Sequence, residues 1–333
     1  MPRADQDAAR HNRPPAEDAK PRRLPNCGSC RIVSAMRFIR DILRECQQAG
    51  RLAISYEFFT PRTPEGDQTL MERTVPELLR WKPDYCSVTY GAGGSTREKT
   101  LGMVRELQQR HGVTTMAHLT CVGSTRDQVR EIIHQAQALG IRNLLALRGD
   151  PPEGSKQFVK TEGGFEFAWE LVRLIRETGD FSVGVAGFPE GHMACQEGKL
   201  ADWRYLKNKI ECGADFVVTQ LFFDNSDYYE FRDYLVGQLG VTVPLVPGIL
   251  PIVSARQVRK FTQLCGARLP EAFRARLDQL GDDDAAVTEF GIEHATQQCL
   301  DLRRAGAPGV HFYTLNKAYS TVRILSNLGL RPS

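Results

Sequence analysis

No apolar run in this 333-residue chain approaches the roughly 18 residues that a membrane-spanning helix needs, so no membrane partner is expected. The first thirty residues have no apolar core for a signal peptide. They also carry Asp5, Asp7, Glu17 and Asp18, which argue against an organelle transit peptide and leave a cytoplasmic protein as the expectation. Charge of one sign is missing too: 43 Lys and Arg stand against 40 Asp and Glu, interspersed, for a net charge of +3. That balance predicts no nucleic-acid footprint. There is no H-E-x-x-H, and Cys27-Gly-Ser-Cys30 has no second pair at zinc spacing, so no metal site is expected. No strand-like segment contains a lysine for Schiff-base chemistry, and none runs into a G-x-G-x-x-G turn. The nine cysteines are odd in number, and Cys86, Cys121, Cys212, Cys265 and Cys299 lie in apolar segments. They read as small core residues of a reducing compartment.

What is present is a regular alternation. Residues 1–30, rich in Pro, Arg, Asp and Ala with little to bury, read as a disordered arm, and residues 31–333 as one domain. Ile32, Val33, Met36, Ile39, Ile42, Leu43 and Cys46 form one helical stripe that Gly50 ends, which predicts an N-terminal helix closing one end of the domain. Strand-like segments follow near 53–59, 85–90, 114–121, 143–149, 181–188, 216–223, 243–250 and 310–315. Helical patterns at 67–80, 97–110, 125–139, 165–178, 200–212, 226–238, 254–265 and 286–305 separate them, and 317–328 follows the last. Stretches around 151–164 and 266–285 read as lengthened connections, and Asp282-Asp283-Asp284 as a helix N-cap. Strand–helix alternation without a break in composition predicts an α/β fold, a closed (β/α)8 TIM barrel rather than an open sheet.

A barrel gathers its chemistry where the strands end. Ile54-Ser55-Tyr56-Glu57-Phe58-Phe59 is a β-branched and aromatic strand stopped by Thr60-Pro61-Arg62. A carboxylate in such a strand is expensive to desolvate, so Glu57 either reaches solvent, is paired, or is kept for its proton. The other strand ends offer Thr89, His118 with Thr120, Arg148 with Asp150, Glu190 with His192, Gln220 and Asn316. Each has an ordinary structural role open to it. Together they predict a cup with carboxyls, hydrogen-bond donors and an aromatic rim.

Several stretches then stand in a telling order: Ser55-Tyr56-Glu57-Phe58-Phe59 with Pro61-Arg62-Thr63, Ser87-Val88-Thr89-Tyr90-Gly91-Ala92, His118-Leu119-Thr120-Cys121 and Ala146-Leu147-Arg148-Gly149-Asp150. Thr219-Gln220 with Phe222-Phe223-Asp224, Pro247-Gly248-Ile249-Leu250-Pro251 and His311-Phe312-Tyr313-Thr314-Leu315-Asn316 complete the set. From about residue 52 to 331 the chain resembles the methylenetetrahydrofolate reductases of the bacterial single-domain type. The resemblance implies a barrel that holds FAD, takes electrons from NADH or NADPH, and reduces 5,10-methylenetetrahydrofolate to 5-methyltetrahydrofolate, as a homo-oligomer.

It also assigns residues. Glu57 is implied as the general acid and Asp150 as the second carboxyl, beside flavin and pterin. Thr89, Tyr90, Ala92, His118, Arg148, Gly149, Asp150, Phe167, Phe188, His192, Asp202 and Lys209 are implied for FAD, with Arg148 and Lys209 as counter-charges to the pyrophosphate. Asp150, Gln220, Gln257, Phe261 and Lys317 are implied for the folate. Phe188 and Lys317 depart from the Tyr and Arg usual there, and Tyr205 and Asn208 from polar and basic residues. At an ordinary pKa of about 4.3 only about one glutamate in 500 holds its proton at pH 7, so an acid of this kind needs an apolar setting. Phe59, on the same strand face as Glu57, is expected to supply it. Two other readings stay open: a flavin-free NADH-dependent folate reductase on the same barrel, and a non-catalytic folate-binding subunit.

Overall fold

The computed structural model describes residues 36–90, 97–150 and 158–333. The expected arm, Cys27, Cys30 and the Gly91–Ser95 string with Ala92 lie outside the described residues. Eight parallel strands close on themselves in chain order, β1 to β8, with β8 paired back to β1. They are β1 Ala53–Phe58, β2 Tyr85–Val88, β3 Thr115–Thr120, β4 Asn143–Leu147, β5 Ser182–Gly187, β6 Phe216–Leu221, β7 Leu245–Ile249 and β8 Gly309–Tyr313. Helices between them form the outer ring, so the (β/α)8 barrel expected from the alternation is the observed fold.

Strand periodicity sorts the side chains into two layers. Outward residues such as Tyr56, Phe58, Cys86, Val88, Val183 and Val185 pack beneath the helices. Inward residues Ala53, Tyr85, Met116, Leu145, Phe216, Val218 and Val246 fill the lower barrel. Ile39, Ile42, Leu43 and Cys46 of α1 (Ile39–Gln48) join that inner layer, so this helix stoppers the N-terminal end. Its first turn has no side-chain cap of its own, which leaves orphan N–H groups at its start. The barrel supplies the partners: Ile39 N–H donates to Asn143 Oδ1 (2.8 Å) and Arg40 N–H to Ser182 Oγ (3.0 Å), while Asn143 Nδ2 donates to the Arg37 carbonyl (3.0 Å). Asn143 and Ser182 open β4 and β5, so the strand starts themselves dock the stopper.

Three sequence expectations need correction. The first helix starts at Ile39, so Met36 precedes it and is not part of its buried stripe. The 67–80 pattern is α2 (Pro64–Thr69), a π-turn at Leu70–Thr74 and α3 (Val75–Leu79). Pro76, in the first turn of α3, has no N–H to give, and the ladder widens just before it. The 266–285 stretch holds a helix of its own. Among the helices that follow β3, α5 is Arg126–Ala138, α6 Ala168–Thr178, α7 Lys199–Glu211, α8 Asn225–Asp233, α9 Ala255–Cys265, α10 Glu271–Leu280, α11 Asp284–Arg304 and α12 Tyr319–Asn327; α4 is Arg97–His111. α10 is seated by Phe273 and Leu277, and the Phe273 ring lies 5.1 Å from that of Phe223 and 5.0 Å from that of Phe290. Asp283 caps α11 as expected, accepting from Ala286 N–H.

Asn143 is fully buried, so Asn143→Ala leaves the Ile39 N–H without a partner in an apolar layer. A loss of about 2 kcal/mol is expected in urea unfolding, with an unchanged m-value.

Candidate active site

Glu57 sits one residue from the end of β1 and points into the barrel just above the apolar fill. It is 5% exposed, which removes the solvent-reaching alternative. Two imidazoles flank it: His118 Nε2 of β3 lies 3.3 Å and His311 Nε2 of β8 lies 3.6 Å from Glu57 Oε2. His311 is fully buried and held by hydroxyls, with Nδ1 2.8 Å from Ser55 Oγ and Nε2 3.3 Å from Ser87 Oγ. Burial pushes the His118 imidazole down to about 4, with the Glu57 carboxylate opposing and His311 adding to the fall. His118 is therefore neutral at neutral pH.

The backbone under Glu57 is stitched to the end of β8. Thr314 Oγ1 donates to the Glu57 carbonyl (2.6 Å), and Asn316 accepts from Phe59 N–H (2.9 Å) and donates to the Phe59 carbonyl (2.8 Å). Asn316, expected as a cup residue, thus uses its amide on the main chain. Leu315 and Asn316 both have left-handed φ, +50° and +58°, a conformation costly for Leu.

Above this floor opens a cavity of about 2070 Å³, lined by Glu57, Phe59, Thr89, Tyr90, His118, Arg148, Gly149 and Asp150, among others. Single-ligand pockets span roughly 300–1,000 Å³, so it is larger than one small ligand requires. Glu57 and Asp150 share it, as the cup expectation requires. Phe167, Phe188, His192, Asp202 and Lys209 line it too, as do Gln220 and Phe261.

One wall is basic and half-buried. Lys209 Nζ donates to the Ala186 carbonyl (2.7 Å), and burial pushes its ammonium down to about 8 against the pull of Asp202. Burial in turn raises the Asp202 carboxyl, which accepts from His192 N–H (3.2 Å). His192 Nδ1 accepts from Ala194 N–H (3.0 Å), the Phe188 ring meets the imidazole edge-on at 4.5 Å, and burial lowers the His192 pKa. Trp203 Nε1 donates to the Phe188 carbonyl (2.9 Å) and fixes that strand end. The Arg148 guanidinium lies over the Phe158 ring at 4.7 Å. Gly149 has φ +90°, and a Cβ there would meet Val122 Cγ1 at 2.5 Å, so only glycine lets the chain turn between Arg148 and Asp150.

The opposite run of strands carries Gln220, whose Oε1 accepts from Leu221 N–H (2.9 Å), and Tyr313, whose hydroxyl donates to the Thr219 carbonyl (2.5 Å). Gly248 makes that crossing possible, because a Cβ would fall 2.3 Å from the same carbonyl oxygen.

Not every expected residue joins the cavity. Gln257 accepts from Val253 N–H (2.8 Å) at the start of α9 and does not line it. Lys317 is exposed and outside the lining. Ala92 lies outside the described residues. Tyr205 and Asn208 do line the cavity, and Tyr205 donates to Glu197. Cys212 and Cys265, expected in the core, are partly exposed on its wall. His311, Tyr313 and Trp169 were missed as site residues; the two-residue spacing of His311 and Tyr313 on β8, opposite Ser55 and Glu57 on β1, was the available signal for the first two.

A closed parallel barrel with a buried carboxyl, flanking imidazoles and a basic wall around one large cavity at the strand ends defines the class: a (β/α)8 barrel with its candidate site at the C-terminal mouth. The family model described as Methylenetetrahydrofolate reductase matches residues 42–329, and the chain belongs to that family. It is 38% identical over 295 residues to 5,10-methylenetetrahydrofolate reductase of Escherichia coli (strain K12), covering 88% of this chain and 97% of that protein. It is 40% identical over 305 residues to Methylenetetrahydrofolate reductase (NADH) 1 of Zea mays, covering 89% of this chain and 51% of the relative. The chain thus spans about half the length of the plant relatives it matches. A solved Clostridium thermocellum protein described as binding two copies of 5-methyl-5,6,7,8-tetrahydrofolic acid is similar with a TM-score of 0.59 at 13% identity, covering 86% of this chain and 100% of that one. At that identity the likeness is one of fold. Among the described residues no helix is long and apolar enough to cross a membrane.

A buried imidazole whose folded pKa lies below the ordinary 6.5 supports the fold fully above pH 6.5 and withdraws that support as pH falls toward 4, because the unfolded chain takes up the proton first. The effect is on the order of 3 kcal/mol. In urea unfolding at pH 7, 5.5 and 4.5, the stability margin of the wild type over His118→Gln is expected to shrink steadily as pH falls.

Proposed function

We propose that this chain reduces 5,10-methylenetetrahydrofolate to 5-methyltetrahydrofolate, with Glu57 as the general acid, FAD bound at the barrel mouth and NADH or NADPH as the donor. The observation that carries the reading is Glu57 and Asp150 in one cavity with the Arg148 and Lys209 wall. The family and the two named reductases support the substrate. The word NADH in the plant relatives' names favours that donor.

The wall suits a flavin dinucleotide on its own chemistry. Lys209 is a half-buried cation whose ammonium is partly desolvated and met by Asp202 and the Ala186 carbonyl, and a phosphate would add a counter-charge. Gly149, where a Cβ would strike Val122, lets the chain turn so that Arg148 and Asp150 both line the cavity. Bound there, a flavin would take a hydride from the nicotinamide and pass it to the folate carbon.

The chain's own residues do the rest. Opening the five-membered ring breaks the bond between the bridging methylene and N10, and Glu57 delivers a proton to the departing nitrogen. The methylene remains on N5 as an iminium cation, and hydride addition turns it into the methyl group. Neutral His118 at 3.3 Å adds no cation that would hold the Glu57 carboxyl ionised. Asp150 places a negative charge near the iminium. Gln220, with Oε1 occupied by Leu221 N–H, keeps its amide donors for the pterin edge. Phe261 provides a ring against which the folate stacks.

The purified protein is expected to show a flavin band near about 450 nm that NADH bleaches anaerobically and methylenetetrahydrofolate restores. In Glu57→Gln, bleaching by NADH should stay within about 2-fold while restoration slows by roughly 10²–10⁴-fold. Equal loss of both half-reactions refutes the acid role; a colourless protein that still oxidises NADH with the folate refutes the flavin.

A further inference from the structure

Three connections at the mouth meet at one side chain that has no role in the chemistry above. Arg268 follows α9. Its backbone N–H donates to Glu190 Oε1 (2.8 Å) in the β5–α7 connection. Its guanidinium grips Asp227 of α8 through both carboxylate oxygens (3.1 and 3.0 Å) and lies 3.6 Å from Asp224, the α8 N-cap. Beside this knot Gly266, with φ +74°, covers Met193, and a Cβ there would strike Met193 Cγ at 2.6 Å.

The two walls joined by this knot are anchored very differently. Phe188 and His192, on the β5 side, are fixed within their own connection by Trp203 and Asp202. α9 carries Phe261, Leu264 and Cys265 along the cavity, yet it buries only Ala255 and Val258, and Leu264 is 65% exposed. Packing alone therefore holds the C-terminal half of α9 weakly. An exposed ion pair is usually worth little. Here the carboxylates are the buried partners: the side chains of Asp227 and Glu190 are 15% and 18% exposed, against 52% for Arg268. Removing the arginine leaves Glu190, Asp224 and Asp227 as three adjacent carboxylates without their shared cation, which drives the connections apart.

We propose that Arg268 is a positioning residue that locks the α9 wall to the β5 wall and thereby sets the width of the cavity on the side where Phe261 would receive the folate. The second half of this statement rests on the function proposed above; the first does not.

The test compares the wild type with Arg268→Ala and Arg268→Lys by hydrogen–deuterium exchange, flavin reduction by NADH and steady-state folate kinetics, with thermal melting to establish that each variant is folded. In Arg268→Ala, exchange in residues 255–265 is expected to rise at least about 5-fold while β1 and β8 keep wild-type protection. The KM for methylenetetrahydrofolate should rise about 5- to 10-fold, with NADH reduction of the flavin within about 2-fold of wild type. Both variants keep the backbone bond to Glu190; Arg268→Lys also keeps the charge but loses the Nε approach to Glu190 (4.0 Å), and should fall between. Unchanged exchange in α9 overturns the lock, and raised exchange with an unchanged folate KM overturns its link to the site. A wild type that binds no flavin and reduces no folate refutes the proposed function instead, and the exchange comparison, which needs no ligand, then decides the lock.

Discussion

The arrangement depends on the seam where β8 closes onto β1. In register, Ser55 faces His311 and Glu57 faces Tyr313, so one seam places a carboxyl, an imidazole and a phenol in successive positions on two adjacent strands. Beyond the last ladder pair the seam continues through side chains, with Thr314 on the Glu57 carbonyl and Asn316 on both polar groups of Phe59. Two residues in left-handed backbone make this possible, at a cost of about 1–3 kcal/mol each. The hydrogen bonds to Phe59 and Glu57 offset that cost only while β1 stays in place. The strain and the placement of Glu57 are therefore the same feature: slackening the Leu315–Asn316 turn would release the main chain on either side of the acid.

Desolvation then divides the mouth into two electrical regions. Around Glu57 stand two imidazoles, His118 kept neutral by burial and His311 held by the hydroxyls of Ser55 and Ser87. Toward α7 the same burial acts on Lys209 and Asp202 and weakens both charges, yet leaves an ammonium facing the cavity. A proton donor and an anion seat need opposite surroundings. The barrel sets Glu57 on β1 and Lys209 on the helix after β5, with Asp150 between them in chain order, which is the separation the proposed function requires.

Much of this was legible in the sequence because it follows from period and order. Strand-by-strand alternation fixed the barrel, and the polar residues at strand ends fell around one cavity since parallel strands share one direction. What the sequence hid depends on contacts across the barrel. His311 reads as one more residue of an apolar strand until register sets it beside Ser55. Asn316 looks like a ligand donor until its amide is seen on Phe59, and Gln257 until it is seen on Val253 N–H. Pro76 was inside a helical pattern, and the pattern alone could not say that the ladder would widen before it. Cys212 and Cys265 sit in apolar company along the chain yet come to the cavity wall, because wall and core are distinguished by direction and not by composition.

The two ends of the barrel answer different demands. The floor is closed by α1, whose apolar stripe enters the inner layer and whose backbone is taken up by Asn143 and Ser182, so it can contribute stability without regard to ligands. The mouth is not packed in that way, since it opens into the cavity of about 2070 Å³. Its walls are therefore long connections and a lightly buried helix, held by polar ties at their edges: Trp203 to Phe188, Asp202 to His192, and Arg268 to Glu190 and Asp227. Such ties fix position with little apolar area; the first two act within the β5–α7 segment, and the Arg268 tie crosses from one connection to the next. The cavity wall is thus tied by a few directional bonds above a tightly packed floor.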